Sequence, residues 1–184
     1  MKLENISGRP HRRVHVVQGE HYVTGDPDVL LTTILGSCVA VCMRDPVAEV
    51  GGMNHFLLPD GRADGADQGR RYGVNAMELL INELLRLGAR RDRLEAKLFG
   101  GARMFDGLSD VGASNAEFAH RFLRDEGINV VGSSLGGSQA RRVQFWPTSG
   151  RAQQKTVTDT AELAPLREAP KPAPVADDGA VELF

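Results

Sequence analysis

Apolar and polar positions along this chain repeat with two different periods, and each change of period marks an element. From Tyr72 to Leu87, residues Val74, Met77, Leu80, Ile81, Leu84 and Leu85 recur at helical spacing and form one stripe, with Gly88 as the stop. Ser114 to Glu126 repeats the pattern, with Ser114 as the expected N-cap, Glu117 as its capping-box partner and Gly127 closing the helix. Short apolar runs bounded by turn residues predict strands at 14–17, 21–24, 29–34, 94–98, 128–132 and 142–146. Residues 38–44, Cys-Val-Ala-Val-Cys-Met-Arg, read as a further strand, and Asp45-Pro46 is a turn signal after which 47–53 returns as its hairpin partner. Strands interleaved with two amphipathic helices predict an α/β (α+β) fold, a layered sandwich in which both main helices pack over a mixed sheet.

Composition sets the outer limits. The chain has 184 residues, 41% hydrophobic and 25% charged, enough for a single domain with a sizeable core, expected over 1–157. Beyond Val157 the pattern fails. Pro165, Pro170, Pro172 and Pro174 stand among charged residues, so 158–184 is expected to be disordered, with Val181 to Phe184 as a frayed end. The glycine- and aspartate-rich stretch 60–69 lacks the terminal glutamate of a calcium loop and reads as a surface loop.

The formal net charge is −2 and no basic patch with interleaved aromatics occurs, so nucleic acid is not an expected partner. No apolar run reaches transmembrane length and the first residues lack a signal-peptide core, which predicts a cytoplasmic protein without membrane insertion. Cys38 and Cys42 do not suggest a disulfide framework, and neither they nor His11, His15 and His21 have ligand-spaced partners. No metal and no cofactor is expected. The stretch Gly132 to Gly137 lacks the lysine and spacing of a phosphate cradle, so it is read as shaping a site or a hairpin.

Candidate chemistry centres on Cys38. A free cysteine is commonly a small core residue, and Cys42 is read that way. Cys38 differs because the predicted hairpin brings the start of its first strand beside the end of its second, where His55 lies. A thiol becomes a strong nucleophile when a base or cation activates it, and His55 is the nearest base. Gly36 and Ser37 leave space over the sulfur, so backbone N–H groups around Cys38 can face a developing oxyanion.

Four segments in order carry a family resemblance. They are Gly36-Ser37-Cys38-Val39-Ala40-Val41; Asn54-His55 with Leu58-Pro59; Lys97-Leu98-Phe99-Gly100-Gly101-Ala102; and Leu135-Gly136-Gly137-Ser138 with Arg141-Arg142-Val143. Together, from about Val14 to about Gly150, the chain resembles the CheD family of chemoreceptor glutamine deamidases.

The resemblance implies hydrolysis of selected glutamine side chains to glutamates on the cytoplasmic helices of bacterial chemoreceptors, through a Cys-His-Thr triad and a thioester. Residue by residue it gives Cys38 as nucleophile, His55 as general base and acid, and Thr32 as the residue that orients His55, with Thr33 adjacent as the alternative hydroxyl. Gly36, Ser37, Asn54, Phe99, Gly100 and Gly101 are the expected substrate-pocket residues. The resemblance further implies an α/β sandwich, possible hydrolysis of glutamyl methyl esters and a CheC-type phosphatase as a binding partner. Two other readings use the same residues: a cysteine peptidase, which would cleave the receptor backbone, and a non-catalytic adaptor, whose thiol would react no faster than free cysteine.

Overall fold

Two β-sheets meet face to face along strands that are apolar on both sides, and helices cover the outer face of one of them. The computed structural model describes residues 11–59, 66–104 and 110–157. The elements, in chain order, are β1 (Arg12–His15), β2 (His21–Thr24), β3 (Val29–Leu35), β4 (Val39–Asp45), β5 (Val50–Phe56), α1 (Ala66–Arg86), β6 (Glu95–Gly100), α2 (Val111–Asp125), β7 (Asn129–Leu135), β8 (Arg141–Trp146) and β9 (Arg151–Thr156). A single 3₁₀ turn, Arg91–Arg93, follows α1.

The strands form a four-stranded sheet in the order β1-β3-β8-β9 and a five-stranded sheet in the order β2-β5-β4-β6-β7. Both are mixed: β1 runs parallel to β3 and β6 parallel to β7, and the other neighbours are antiparallel. The expected sandwich of helices over a mixed sheet is present, with its strands divided between two sheets.

Successive side chains of a strand face opposite ways, which sorts the core into layers. Val39, Val41 and Met43 of β4 and Phe56 of β5 face Met77, Leu80, Ile81 and Leu84 of α1 and Phe118, Ala119 and Leu123 of α2. Phe56 meets Phe118 edge to face, with ring centroids 5.8 Å apart. The alternate residues, Ala40 and Cys42 of β4 and Met53 of β5, face Leu31 and Leu35 of β3 and Val143 and Phe145 of β8. Cys38 and Phe99 belong to this second, inter-sheet cluster.

Several boundaries move from the sequence expectation. The second hairpin strand is Val50–Phe56 rather than 47–53, so His55 lies within the strand. Helix α1 begins at Ala66, inside the stretch expected as a surface loop; residues 60–65 of that stretch, and the tail 158–184, lie outside the described residues. The N-cap of α2 is Asp110, whose side chain accepts from Ala113 N, while the Ser114 hydroxyl donates to Asp110 O. An aspartate one residue before the helix serves the first-turn N–H groups, so Ser114 falls inside the helix and bonds back to a carbonyl. Strand β9 was not expected: Arg-Ala-Gln-Gln-Lys-Thr is a mostly exposed edge strand with no apolar alternation to announce it.

The hairpin that carries the candidate site is closed by Asp45. Its buried carboxylate accepts from Val47 N and Ala48 N in the turn and from Arg90 N and Arg93 Nε beyond α1. Burial alone would raise its pKa, but the bond from Arg93 and the three backbone N–H bonds outweigh that and hold it well below the usual carboxylate range. A carboxyl with a depressed folded pKa stabilises the fold above its unfolded value of about 3.9 and loses that contribution as pH falls toward the folded value. Asp45→Asn should therefore cost about 3 kcal/mol at neutral pH, and urea titrations of the two proteins should converge as the pH is lowered below about 4.

Candidate active site

His55 sits at the centre of the inter-sheet layer and is 3% exposed. In β5 it lies opposite Ala40 of β4, and Cys38, just before β4 and two residues from Ala40, packs in the same inter-sheet cluster as Ala40.

The ring is held from the other sheet. The Thr33 hydroxyl donates to Val16 O at 2.7 Å and lies 2.9 Å from His55 Nδ1. Because the hydroxyl proton is used on Val16 O, Nδ1 must be the donor in the second bond; Val16 O, 3.3 Å from the same nitrogen, accepts as well. This fixes the tautomer with hydrogen on Nδ1 and a lone pair on Nε2. Nε2 is buried and has no hydrogen-bond partner among the described residues.

The hydroxyl at the imidazole is thus that of Thr33, which corrects the expectation of Thr32. Alternation decides it: Leu31, Thr33 and Leu35 share the face toward the five-stranded sheet, where Leu31 and Leu35 join the cluster around Cys38. Thr32 points the other way, is partly exposed and lies between His15 of β1 and Gln144 of β8.

The loop before Cys38 is fixed by its carbonyls. Gly36 O accepts from Ala102 N at 2.9 Å, Ser37 O from Asn115 Nδ2 at 2.9 Å and Cys38 O from Gly101 N at 2.7 Å. Gly100 allows this approach, since it has φ +107 and a Cβ there would stand 2.1 Å from Cys38 O. Gly36, Ser37, Gly100 and Gly101 therefore shape the loop that carries Cys38, and Phe99 packs in the Cys38 cluster.

Asn54 does not belong to that group. It faces the helices, accepting from Val41 N and donating to Ala76 O, because it is one residue out of phase with His55. An open cleft of about 660 Å³ runs from Gly101 and Arg103 past Glu117 and His120 to Leu135 and Gly136; Cys38 and His55 do not line it.

Burial pushes the Cys38 thiol up to about 11, against the smaller downward pull of its own backbone N–H. Burial likewise holds His55 down to about 4, the Val16 carbonyl opposing and His15 adding to the fall. At rest the pair is a neutral thiol and a neutral imidazole. The thiol donates to Gln18 Oε1 at 3.4 Å. Cys42 is fully buried and its thiol is also pushed up by burial, as expected of a core cysteine. Among the described residues, no cluster of three or more His, Cys, Asp or Glu side chains is placed to hold a metal ion, and no helix is long and apolar enough to cross a membrane.

Two site residues had no local signal in the sequence. Gln18 reaches Cys38 from the turn between β1 and β2. Asn115, fully buried on α2, donates to Ser37 O and accepts from Leu58 N, tying the loop that carries Cys38 to the chain just beyond His55. An amide on an otherwise apolar helix face was the available clue.

A family model described as CheD chemotactic sensory transduction matches residues 57–156, beginning just after His55. A Caulobacter sp. (strain K31) protein named "Probable chemoreceptor glutamine deamidase CheD" is 62% identical over 178 residues, covering 95% of this chain and 94% of that protein. Proteins with the same name from Acidiphilium cryptum and Agrobacterium fabrum are 58% and 57% identical, each covering 94% of this chain and 94% and 97% of their own lengths.

Asn115→Ala removes partners from a buried carbonyl and a buried N–H. Urea unfolding should show a loss of about 2–3 kcal/mol with an unchanged slope.

Proposed function

Since the chain belongs to the CheD family, we propose that it hydrolyses glutamine side chains of bacterial chemoreceptors to glutamates, with Cys38 as nucleophile, His55 as base and Thr33 as the residue that orients the base. The observation that carries this reading is the His55 ring: Nδ1 is engaged by Thr33, and Nε2 is left with its lone pair in the inter-sheet layer where Cys38 packs.

The chemistry follows from the neutral pair. The Cys38 S–H proton passes to His55 Nε2 as the sulfur bonds to the carboxamide carbon, and the carbonyl π electrons move to oxygen. When the tetrahedral species collapses, the carbon–nitrogen bond breaks and the imidazolium returns its proton to the departing ammonia. Water, deprotonated by Nε2, then opens the thioester to give glutamate and restore the thiol. Thr33 holds the ring orientation throughout and accepts from Nδ1 while the imidazole carries its extra proton.

The same steps open a glutamyl methyl ester with methanol as the leaving group. The reading places the enzyme in the cytoplasm, where the receptor helices lie, and retains a CheC-type phosphatase as a docking partner on the strength of family membership.

A receptor cytoplasmic fragment incubated with the protein should show glutamine-to-glutamate conversion by mass spectrometry, and none with Cys38→Ala; conversion by that variant would refute the reading. Thr33→Val should lower kcat about tenfold or more, as expected from losing an orienting hydrogen bond of about 1.5 kcal/mol, whereas Thr32→Val should leave it near the wild-type value. As pH falls through about 4, His55 gains a proton and can no longer accept one from the thiol. kcat/KM should therefore be flat across neutral pH, with its acid limb near 4 rather than near the ordinary histidine value.

A further inference from the structure

We propose that Gln18 is a further catalytic residue, whose side-chain amide N–H binds the oxyanion formed when Cys38 opens a carboxamide. The proposal rests on the reading of Cys38 as nucleophile. It starts from the position of the turn that carries Gln18. Glu20 N donates to Val17 O, and Gly19 has φ +88, a left-handed conformation that suits glycine. Gly19 N donates to His55 O at 2.7 Å, and His55 N donates to Glu20 O at 3.0 Å, so the turn is bonded to the peptide groups on both sides of the base. Val16, just before it, is the residue whose carbonyl faces Thr33 and the imidazole. An otherwise exposed glutamine is thereby set at a fixed distance from the sulfur, with its carboxamide oxygen 3.4 Å from Sγ.

The oxyanion of the tetrahedral species is two bonds from Sγ. A group within hydrogen-bonding range of the sulfur comes within range of that oxygen when the substrate carbonyl lies on its side of the sulfur. A carboxamide has an acceptor end and a donor end, exchanged by a half turn about the terminal torsion, which is broad and roughly two-fold. In the resting enzyme the S–H proton makes the acceptor end the better partner. Once that proton has moved to His55 Nε2, the donor has left the sulfur and negative charge has appeared on the neighbouring oxygen, so the electrostatic preference reverses and the NH₂ end turns in. The Cys38 backbone N–H also faces Sγ. Together they supply two donors beside the carbon that becomes bonded to sulfur, the arrangement that stabilises an oxyanion.

The test uses the full chain with Gln18→Leu, of similar bulk without a donor, and Gln18→Ala. Two rates are read: ammonia release from a receptor cytoplasmic fragment, and alkylation of Cys38 by iodoacetamide, a displacement at saturated carbon that forms no oxyanion. Both variants should lose about 10²–10³-fold in kcat with KM little changed. Their alkylation rates should stay at the wild-type value. Wild-type kcat in Gln18→Leu would overturn the proposal. Faster alkylation with raised kcat would also overturn it, showing that Gln18 covers the thiol, and so would a parallel fall in both rates, which would make Gln18 a prop of the site and not a donor to the oxyanion. Ammonia release by Cys38→Ala would instead refute the nucleophile reading, whatever the Gln18 variants do.

Discussion

The proton of the Thr33 hydroxyl decides the chemistry of the site. Because it is donated to Val16 O, the Thr33 oxygen can only accept from His55, and the imidazole must keep its hydrogen on Nδ1. The base at Nε2 is thus specified two hydrogen bonds away, by a backbone carbonyl just beyond β1. It also joins the two sheets, since Thr33 belongs to the four-stranded sheet and His55 to the five-stranded one. Any shift of one sheet across the other would break the chain Val16–Thr33–His55. The apolar contacts of Leu31, Leu35, Val143 and Phe145 with Ala40, Cys42 and Met53 therefore set the alignment of the site as well as the stability of the fold.

The loop that carries Cys38 is fixed by a different device. A loop could move the sulfur freely, but here three consecutive carbonyls, from Gly36 to Cys38, are each bonded to a donor on another segment. Two donors come from the Gly101-Ala102 backbone and one from Asn115 on α2, so the helix layer and the sheet layer both hold the loop. Asn115 extends the constraint by accepting from Leu58 N, three residues past His55. Cys38 and His55 are in this way referred to one buried amide.

That Cys38 and His55 fall at the same end of the hairpin was legible because a clear turn signal fixes which strand ends meet, and Asp45 does close that turn. The choice between Thr32 and Thr33 was not. Strand β3 is largely buried on both faces, so its residues give no polar–apolar alternation from which to read phase, and only the observed register shows which face looks toward His55. Asn54 failed for the opposite reason: it adjoins His55 in the chain, yet strand alternation sends it to the helices. Gln18 lies 20 residues from Cys38 and Asn115 lies 78 residues from Ser37, and each reaches its partner through tertiary structure alone. β9 was hidden because an exposed edge strand needs no apolar side chains.

Burial of the pair explains why the resting site is neutral and what substrate binding must change. An ion pair of thiolate and imidazolium would have to be desolvated between two apolar sheets, and the low imidazole and high thiol pKa values express that cost. The charge separation is therefore better deferred until the carbonyl oxygen is present to receive it. In the proposed mechanism the negative charge then moves off sulfur to an oxygen beside the exposed Gln18 turn, while the positive charge remains on His55 against the Thr33 oxygen and the Val16 carbonyl. On the proposed reading, such an arrangement makes the nucleophilicity of the thiol conditional on an amide in place.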